Sequence, residues 1–192
     1  MPHALTTAAN VIRRQIDQWI DRRFDRKHGT DTVGIIEAHA LGGLGPGAED
    51  AHPFVATPER IFLQALRQAV PDPEHFTFID YGSGKGRTLL LASSSRFRQI
   101  IGVEFSPMLH RIAEGNIHTY RNARQRCLDV SSVHCDAADF ELPDADLVLY
   151  FWTPFHGRTL DAVLEQIAAA LARRAPGAAT GHHSRQRNSG FC

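Results

Sequence analysis

From residue 76 onward the sequence repeats one rhythm: FTFIDYG, a helical segment over 87–97, QIIGVEF, another over 107–121, SSVHCDA, DLVLYFW, and a last helical segment over 158–172. Alternation of this kind predicts an α/β fold with a parallel sheet and right-handed crossovers. The run from Leu147 to Trp152 is apolar at successive rather than alternate positions, as in strands covered on both faces.

The first strand of the series runs straight into Asp80, Tyr81, Gly82, Ser83, Gly84, Lys85 and Gly86, and a helix follows at once. Glycines there let the backbone turn tightly and approach a bound molecule, and the free N–H groups of a helix start favour a negative group. Spacing separates the ligand loops that share this layout. A phosphate-binding P-loop needs Ser or Thr after its Gly-Lys pair, whereas Gly86 follows Gly84 and Lys85. A dinucleotide fold needs GxGxxG, and counted from Gly82 the third position is Arg87, so an NAD(P)-binding oxidoreductase is the second reading. The pattern that stands is DxGxGxG over 80–86.

In that pattern the chain resembles the class I S-adenosylmethionine-dependent methyltransferases. That family places an acidic residue at the end of its second strand, where a carboxylate can accept two hydrogen bonds from the ribose diol. Glu104, 24 residues after Asp80 and closing QIIGVEF, stands there. The family also places an Asp just beyond its third strand, near the exocyclic amine of adenine, and Asp136, followed by Ala137, stands there. The resemblance therefore implies S-adenosylmethionine as cofactor and no metal. It puts Gly82 and Gly84 against the methionine part, Ser83 in the same binding loop, and Asp80 in charge of ordering the loop and the ammonium end. FIDYGSGKGR, GVEFSP and the Tyr-Phe-x-x-Pro-Phe ending are similar to bacterial members distantly similar to the non-SET histone lysine methyltransferases. FVATPERIF over 54–62 resembles their pre-domain segment, which helps close over the cofactor.

The fourth strand ends in YFWTPF, residues 150–155, where the family has its acceptor-side motif. Amine methyltransferases often carry Asn or Asp, then Pro, then an aromatic residue; here Thr153 precedes Pro154 and Phe155. One hydroxyl cannot reproduce an amide's paired donor and acceptor, so the motif leaves the acceptor open, a protein amine among the candidates. Methyl transfer is an in-line displacement in which the protein aligns nucleophile, carbon and sulfur and excludes water, so no triad is required. An amine acceptor must arrive neutral, and Tyr150, Thr153 and His156 stand near enough in sequence to contribute.

Upstream, Ile12, Ile16, Trp19, Ile20 and Phe24 recur at three-to-four spacing, which predicts an amphipathic helix over 8–27 packing its apolar stripe on the body. LGGLGPG over 41–47 reads as a loop. Thr57 is the expected N-cap of a helix with Pro58 at its first position and Ile61, Phe62, Ala65, Leu66 and Ala69 on its buried face. The segments are thus an N-terminal helix over 1–28, a loop and pre-domain helix over 29–72, a partial methyltransferase domain over 73–174 and a disordered tail over 175–192.

Charge and cysteine content narrow the partners. The 21 basic and 21 acidic residues cancel, which gives no global case for nucleic acid or an anionic membrane. Six basic against three acidic residues lie in 1–30, and four Arg without an acid in 173–192, so the middle carries a net charge of −7 between basic ends. A non-catalytic module that docks an acidic partner through its basic N-terminal helix is the remaining alternative. Three cysteines without CxxC spacing oppose a disulfide framework or zinc site and favour a reducing compartment, the cytoplasm by default. No apolar stretch is long enough to span a membrane.

One departure from the family stands out. A fifth strand is due shortly after the helix at 158–172, yet 175–192 holds no apolar run of strand length. The expected sheet is therefore an incomplete Rossmann-like one, strands one to four, with the fourth strand's edge unpaired. Two explanations are open: a truncated reading frame, the favoured one, with activity impaired or lost, or a short form completed by oligomerisation through that edge.

Overall fold

A computed structural model describes residues 2–42 and 46–174. The chain begins with α1 (Pro2–His28), followed by β1 (Ile35–Ile36), a 3-10 turn over Ala38–Ala40, α2 (Pro46–Glu49), β2 (Phe54–Val55) and α3 (Glu59–Ala69). Then come β3 (Phe76–Tyr81), α4 (Arg87–Ala92), β4 (Gln99–Glu104), α5 (Pro107–Thr119), β5 (Val130–His134), β6 (Asp146–Phe151) and α6 (Gly157–Arg174).

β3 to β6 form one sheet in the order β5-β4-β3-β6, with every neighbouring pair parallel, as the alternation predicts. Their double-sided apolar character is used in full. On one face Phe78, Ile100, Val148 and Tyr150 pack with Phe62 and Leu66 of α3 and Leu89 and Leu90 of α4. On the other, Ile79, Tyr81, Ile101 and Val103 pack with Phe140 and with Val163 of α6. Tyr81 stacks on Phe151 at 5.0 Å with an 8° interplanar angle, tying β3 to β6. Among the described residues β6 pairs with β3 alone, so its other edge carries no strand.

The N-terminal helix departs from its predicted face. Phe24 is buried, but Ile16 and Trp19 point to solvent. The inward positions are instead Asp17, Asp21 and Asp25, at i, i+4 and i+8. Asp17 pairs with Arg60 at 3.6 Å and Asp21 with buried Arg87 at 2.5 Å. Asp25 accepts from the hydroxyls of Thr30 and Thr32 and the N–H groups of Thr32 and Val33. Phe24 stacks on Tyr120 at 5.8 Å, and the Arg87 guanidinium lies 4.7 Å from its ring centre. Polar satisfaction, which a hydropathy pattern does not register, overrode the apolar stripe.

Smaller corrections follow the same logic. Thr57 does not cap α3: Pro58 takes the cap position with no side-chain bond, Asp21 accepts the N–H of Glu59 at 3.5 Å, and the Thr57 hydroxyl bonds to Tyr150 instead. α3 buries Phe62 and Leu66 while Ile61, Ala65 and Ala69 face solvent. α4 stops at Ala92 rather than running to 97. Within LGGLGPG, Pro46 and Gly47 begin α2, and residues 43–45 lie outside the described residues, as does the tail over 175–192. Cys127 is a free buried thiol. No described helix is long and apolar enough to cross a membrane.

Candidate functional site

The C-terminal ends of β3, β4 and β6, with the turn after β5, surround one cavity. Its floor is the turn between β3 and α4, where Gly82, Gly84 and Gly86 all have positive φ, at 72°, 56° and 79°. A side chain at the first two positions would be strained and would also collide: a Cβ on Gly82 would lie 2.2 Å from Pro154 Cβ, and one on Gly84 2.4 Å from the Phe54 ring. The loop is pinned to the neighbouring strand by N–H donation from Gly82 and Ser83 to the Val103 carbonyl, at 2.8 and 3.1 Å. Gly102 of β4 makes this crossing possible, because a Cβ there would sit 2.5 Å from Ser83 Oγ.

Three carboxylates face this floor from adjacent strands. Glu104 accepts from the N–H of Gly84 at 2.7 Å through one oxygen and from that of Ser106 at 2.9 Å through the other. Asp80 accepts from the Thr88 hydroxyl. Burial drives both acids up to about 7; Thr88 opposes the shift at Asp80 and the two amide donors oppose it at Glu104, while the Glu104 charge adds to that at Asp80. Asp136 accepts from the N–H groups of Ala138 at 3.0 Å and Gly47 at 2.9 Å. Ser83 Oγ is buried with no hydrogen-bond partner in the described structure.

All seven residues singled out for the cofactor, Asp80, Gly82, Ser83, Gly84, Glu104, Asp136 and Ala137, line this cavity together with Thr153, Pro154 and Phe155. Tyr150 does not. Its ring packs edge-on against Phe62 at 5.1 Å in the core behind the wall, and burial raises its pKa to about 12. Thr153 has φ 45°, a left-handed conformation unusual for a β-branched residue and therefore strained. His156 is exposed and lies 4.9 Å from the ring of His52 at the cavity's mouth.

The segment from α2 to β2 was not legible as part of this site beyond the FVATPERIF similarity. It crosses the cavity as a strap. At one end Gly47 donates to Asp136; in the middle Ala51 bridges to Phe155, His52 donates to the Pro154 carbonyl, and Asp50 accepts from the N–H and hydroxyl of Thr159 at the start of α6. At the other end Phe54 lies on Gly84. With the strap in place the cavity measures about 60 Å3. Ligand pockets are commonly 300–1,000 Å3, so a nucleoside-sized ligand requires the strap to lift. Lys85 and Asn116 hold the turn from behind: Lys85 reaches Asp31 at 2.7 Å, and the Asn116 amide donates to the carbonyls of Asp31 and Lys85. Among the described residues no group of His, Cys, Asp and Glu is placed to hold a metal.

The cavity lining combines hydrogen-bond acceptors with open glycine backbone. Fixed carboxylates are available for hydroxyl and ammonium donors, glycine backbone allows close approach, and Ser83 Oγ lacks a partner. A family model described as a methyltransferase domain matches residues 79–175, 97 of the 192. No curated protein matches. Among solved structures, an RNA methyltransferase from Salinibacter ruber in complex with S-adenosyl-L-homocysteine is 24% identical over 51% of this chain and 61% of that one, with a TM-score of 0.41. A SAM-dependent methyltransferase from Thiobacillus denitrificans, also in complex with S-adenosyl-L-homocysteine, is 23% identical over 57% and 44%, with a TM-score of 0.42. The YcgJ protein from Bacillus subtilis is 17% identical over 57% and 44%, with a TM-score of 0.46. The chain spans less than two thirds of the length of each.

Proposed function

Because the chain belongs to the methyltransferase domain family, we propose that it binds S-adenosylmethionine over the glycine turn and transfers a methyl group to an acceptor entering beside Trp152 to Phe155. Its α/β architecture with a four-stranded parallel sheet is that of the class I, Rossmann-like methyltransferases, and the family favours this reading over an NAD(P)-dependent oxidoreductase. The observation that carries the proposal is the convergence of Asp80, Glu104 and Asp136, from the ends of three adjacent strands, on one glycine-floored cavity.

When bound, the cofactor supplies a methyl group made electrophilic by a sulfonium sulfur. The residues hold and orient. Glu104, fixed by two backbone N–H groups, keeps lone pairs for the ribose hydroxyls, and Asp136 offers its carboxylate to the adenine amine. Asp80 and Ser83 serve the amino-acid end. Gly82 and Gly84 let the backbone come close, and Phe54 and Pro154 shield the turn from water.

On the acceptor side, Tyr150 is too buried and too weakly acidic to serve as a base near neutral pH. An amine acceptor would pass its proton to His156, His52 or bulk water at the open mouth. A protein amine remains the acceptor we propose. It is supported by the exposure of Trp152 and His156 beside the cavity, which leaves room for a macromolecular acceptor.

Calorimetric titration with S-adenosyl-L-homocysteine tests the reading. The chain should bind, and Glu104→Ala should bind at least about tenfold more weakly, the loss expected when a charged acceptor is removed from two hydroxyl donors. Equal binding by the variant would remove Glu104 from the site and the proposed pose with it.

A further inference from the structure

The face of α1 turned away from the body serves none of the contacts described so far. Its three acids point inward and are matched there, while Arg22, Arg23, Arg26 and Lys27 are exposed. Among the described residues none of these four cations forms an ion pair; Arg23 lies over the Trp19 ring at 5.6 Å.

Beside them sits an apolar group that the fold leaves uncovered. Ile16 and Trp19 are 52% and 57% exposed, and the outer face of the β1–β2 pair adds Ile35 and Val55 at 67% and 48%. Ile35 and Val55 are cross-strand partners, and they share a recess of about 350 Å3 with Arg22. A second recess, between α1 and Val33, is lined by Trp19, Arg22 and Arg26. Apolar anchors ringed by arginine around an exposed tryptophan form the pattern of a protein-binding hot spot.

We propose that the groove between α1 and the β1–β2 pair docks an acidic protein segment that carries aliphatic or aromatic anchors. Acidic side chains would meet Arg22 and Arg26, and the anchors would enter the recesses beside Trp19 and against Ile35 and Val55. A nucleic acid fits less well because it presents no aliphatic anchors for the recess lined by Ile35 and Val55. A bilayer fits less well because the exposed apolar side chains are split between α1 and the β1–β2 pair, whereas an interfacial helix presents a continuous apolar face. The location matters, because Phe54 and Val55 are successive residues of β2. A segment seated on Val55 bears on the same strand whose inner face covers Gly84.

The test uses the full chain in a Trp152→Phe background, which leaves Trp19 as its sole indole. The probe is a fluorescein-labelled synthetic amphipathic peptide of Glu with Leu and Phe anchors, followed by anisotropy. Binding should weaken with salt, shift Trp19 emission to the blue, and fall by at least about tenfold in Arg22→Glu/Arg26→Glu and in Ile35→Ser. All three positions are exposed, so circular dichroism should report an unchanged fold. Failure of the peptide to bind, or binding that these variants leave unchanged, overturns the proposal. So does tighter, variant-sensitive binding of a labelled single-stranded oligonucleotide or of phosphatidylserine vesicles.

Discussion

Asp80 and Glu104 are held almost wholly out of water within one small site, and that shapes how the protein responds to pH. Unfolded, both acids ionise near pH 4; folded, they do so near 7. Their protonated forms cost nothing below the unfolded value, and stability is lost as pH rises through the folded one. Taken alone, each group accounts for up to about 4 kcal/mol. The unliganded chain should therefore melt at a higher temperature near about pH 5.5 than near about pH 8 in scanning calorimetry. Asp80→Asn, whose side-chain oxygen can still accept from Thr88, should flatten that slope; an undiminished slope would show that Asp80 is not its source. Ligand binding should run the other way. Hydroxyl and ammonium donors favour the ionised acids, so affinity for S-adenosyl-L-homocysteine should rise from about pH 6 to about pH 8.

Among elements, the junction of α1 with α4 buries an ion pair. Arg87 is buried between Asp21, Thr32 and the Phe24 ring, and burial raises the Asp21 pKa even though the guanidinium opposes it. Removing one member of such a pair leaves the other buried and uncompensated, at a cost of about 3–5 kcal/mol, whereas replacing both with apolar groups is far milder. Arg87→Ala should lower the thermal midpoint by on the order of 10 °C. Arg87→Met with Asp21→Leu should recover much of that loss in circular-dichroism melts; equal losses in both would mean that the pair's burial is not what matters. The same arginine breaks the dinucleotide pattern in the sequence. In the fold it is the point where the N-terminal helix is fastened to the end of the glycine turn.

At the scale of the whole molecule, the sheet presents strand ends to a cavity that the upstream strap nearly fills. The strap is held at Ala51 and Asp50, against Phe155 and Thr159, by the Phe54 ring over the glycine turn, by one N–H over Asp136, and by packing of Ala51 and Phe54 with Leu41 and Leu109. Lifting it breaks these contacts and therefore carries a barrier. In stopped-flow fluorescence, association of S-adenosyl-L-homocysteine should be limited by that motion, and Phe54→Ala should speed it by about tenfold. An unchanged rate would show that the ring does not gate entry.

How much of this was legible depends on whether the determinant was local. The alternation of strands and helices and the DxGxGxG turn are fixed by backbone conformation and short-range spacing, and the resemblance they carry pointed to Glu104 and Asp136 at the strand ends, which line the same cavity. Local patterning could not determine what packs across the chain. It read Ile16 and Trp19 as core, although buried acids needing partners turned them outward. It read Thr57 as a cap, although Asp21 lay closer to the helix end and Tyr150 took the hydroxyl. Nothing in the spacing of Gly47 or Gly102 betrayed a role, because each matters through side chains more than ten residues away. Sequence determined the strand–helix alternation and the glycine turn through local geometry, and the cofactor only through the resemblance these carry; tertiary structure decided what covers the site and which face of α1 stays open, because burial and polar satisfaction are settled only when distant segments meet.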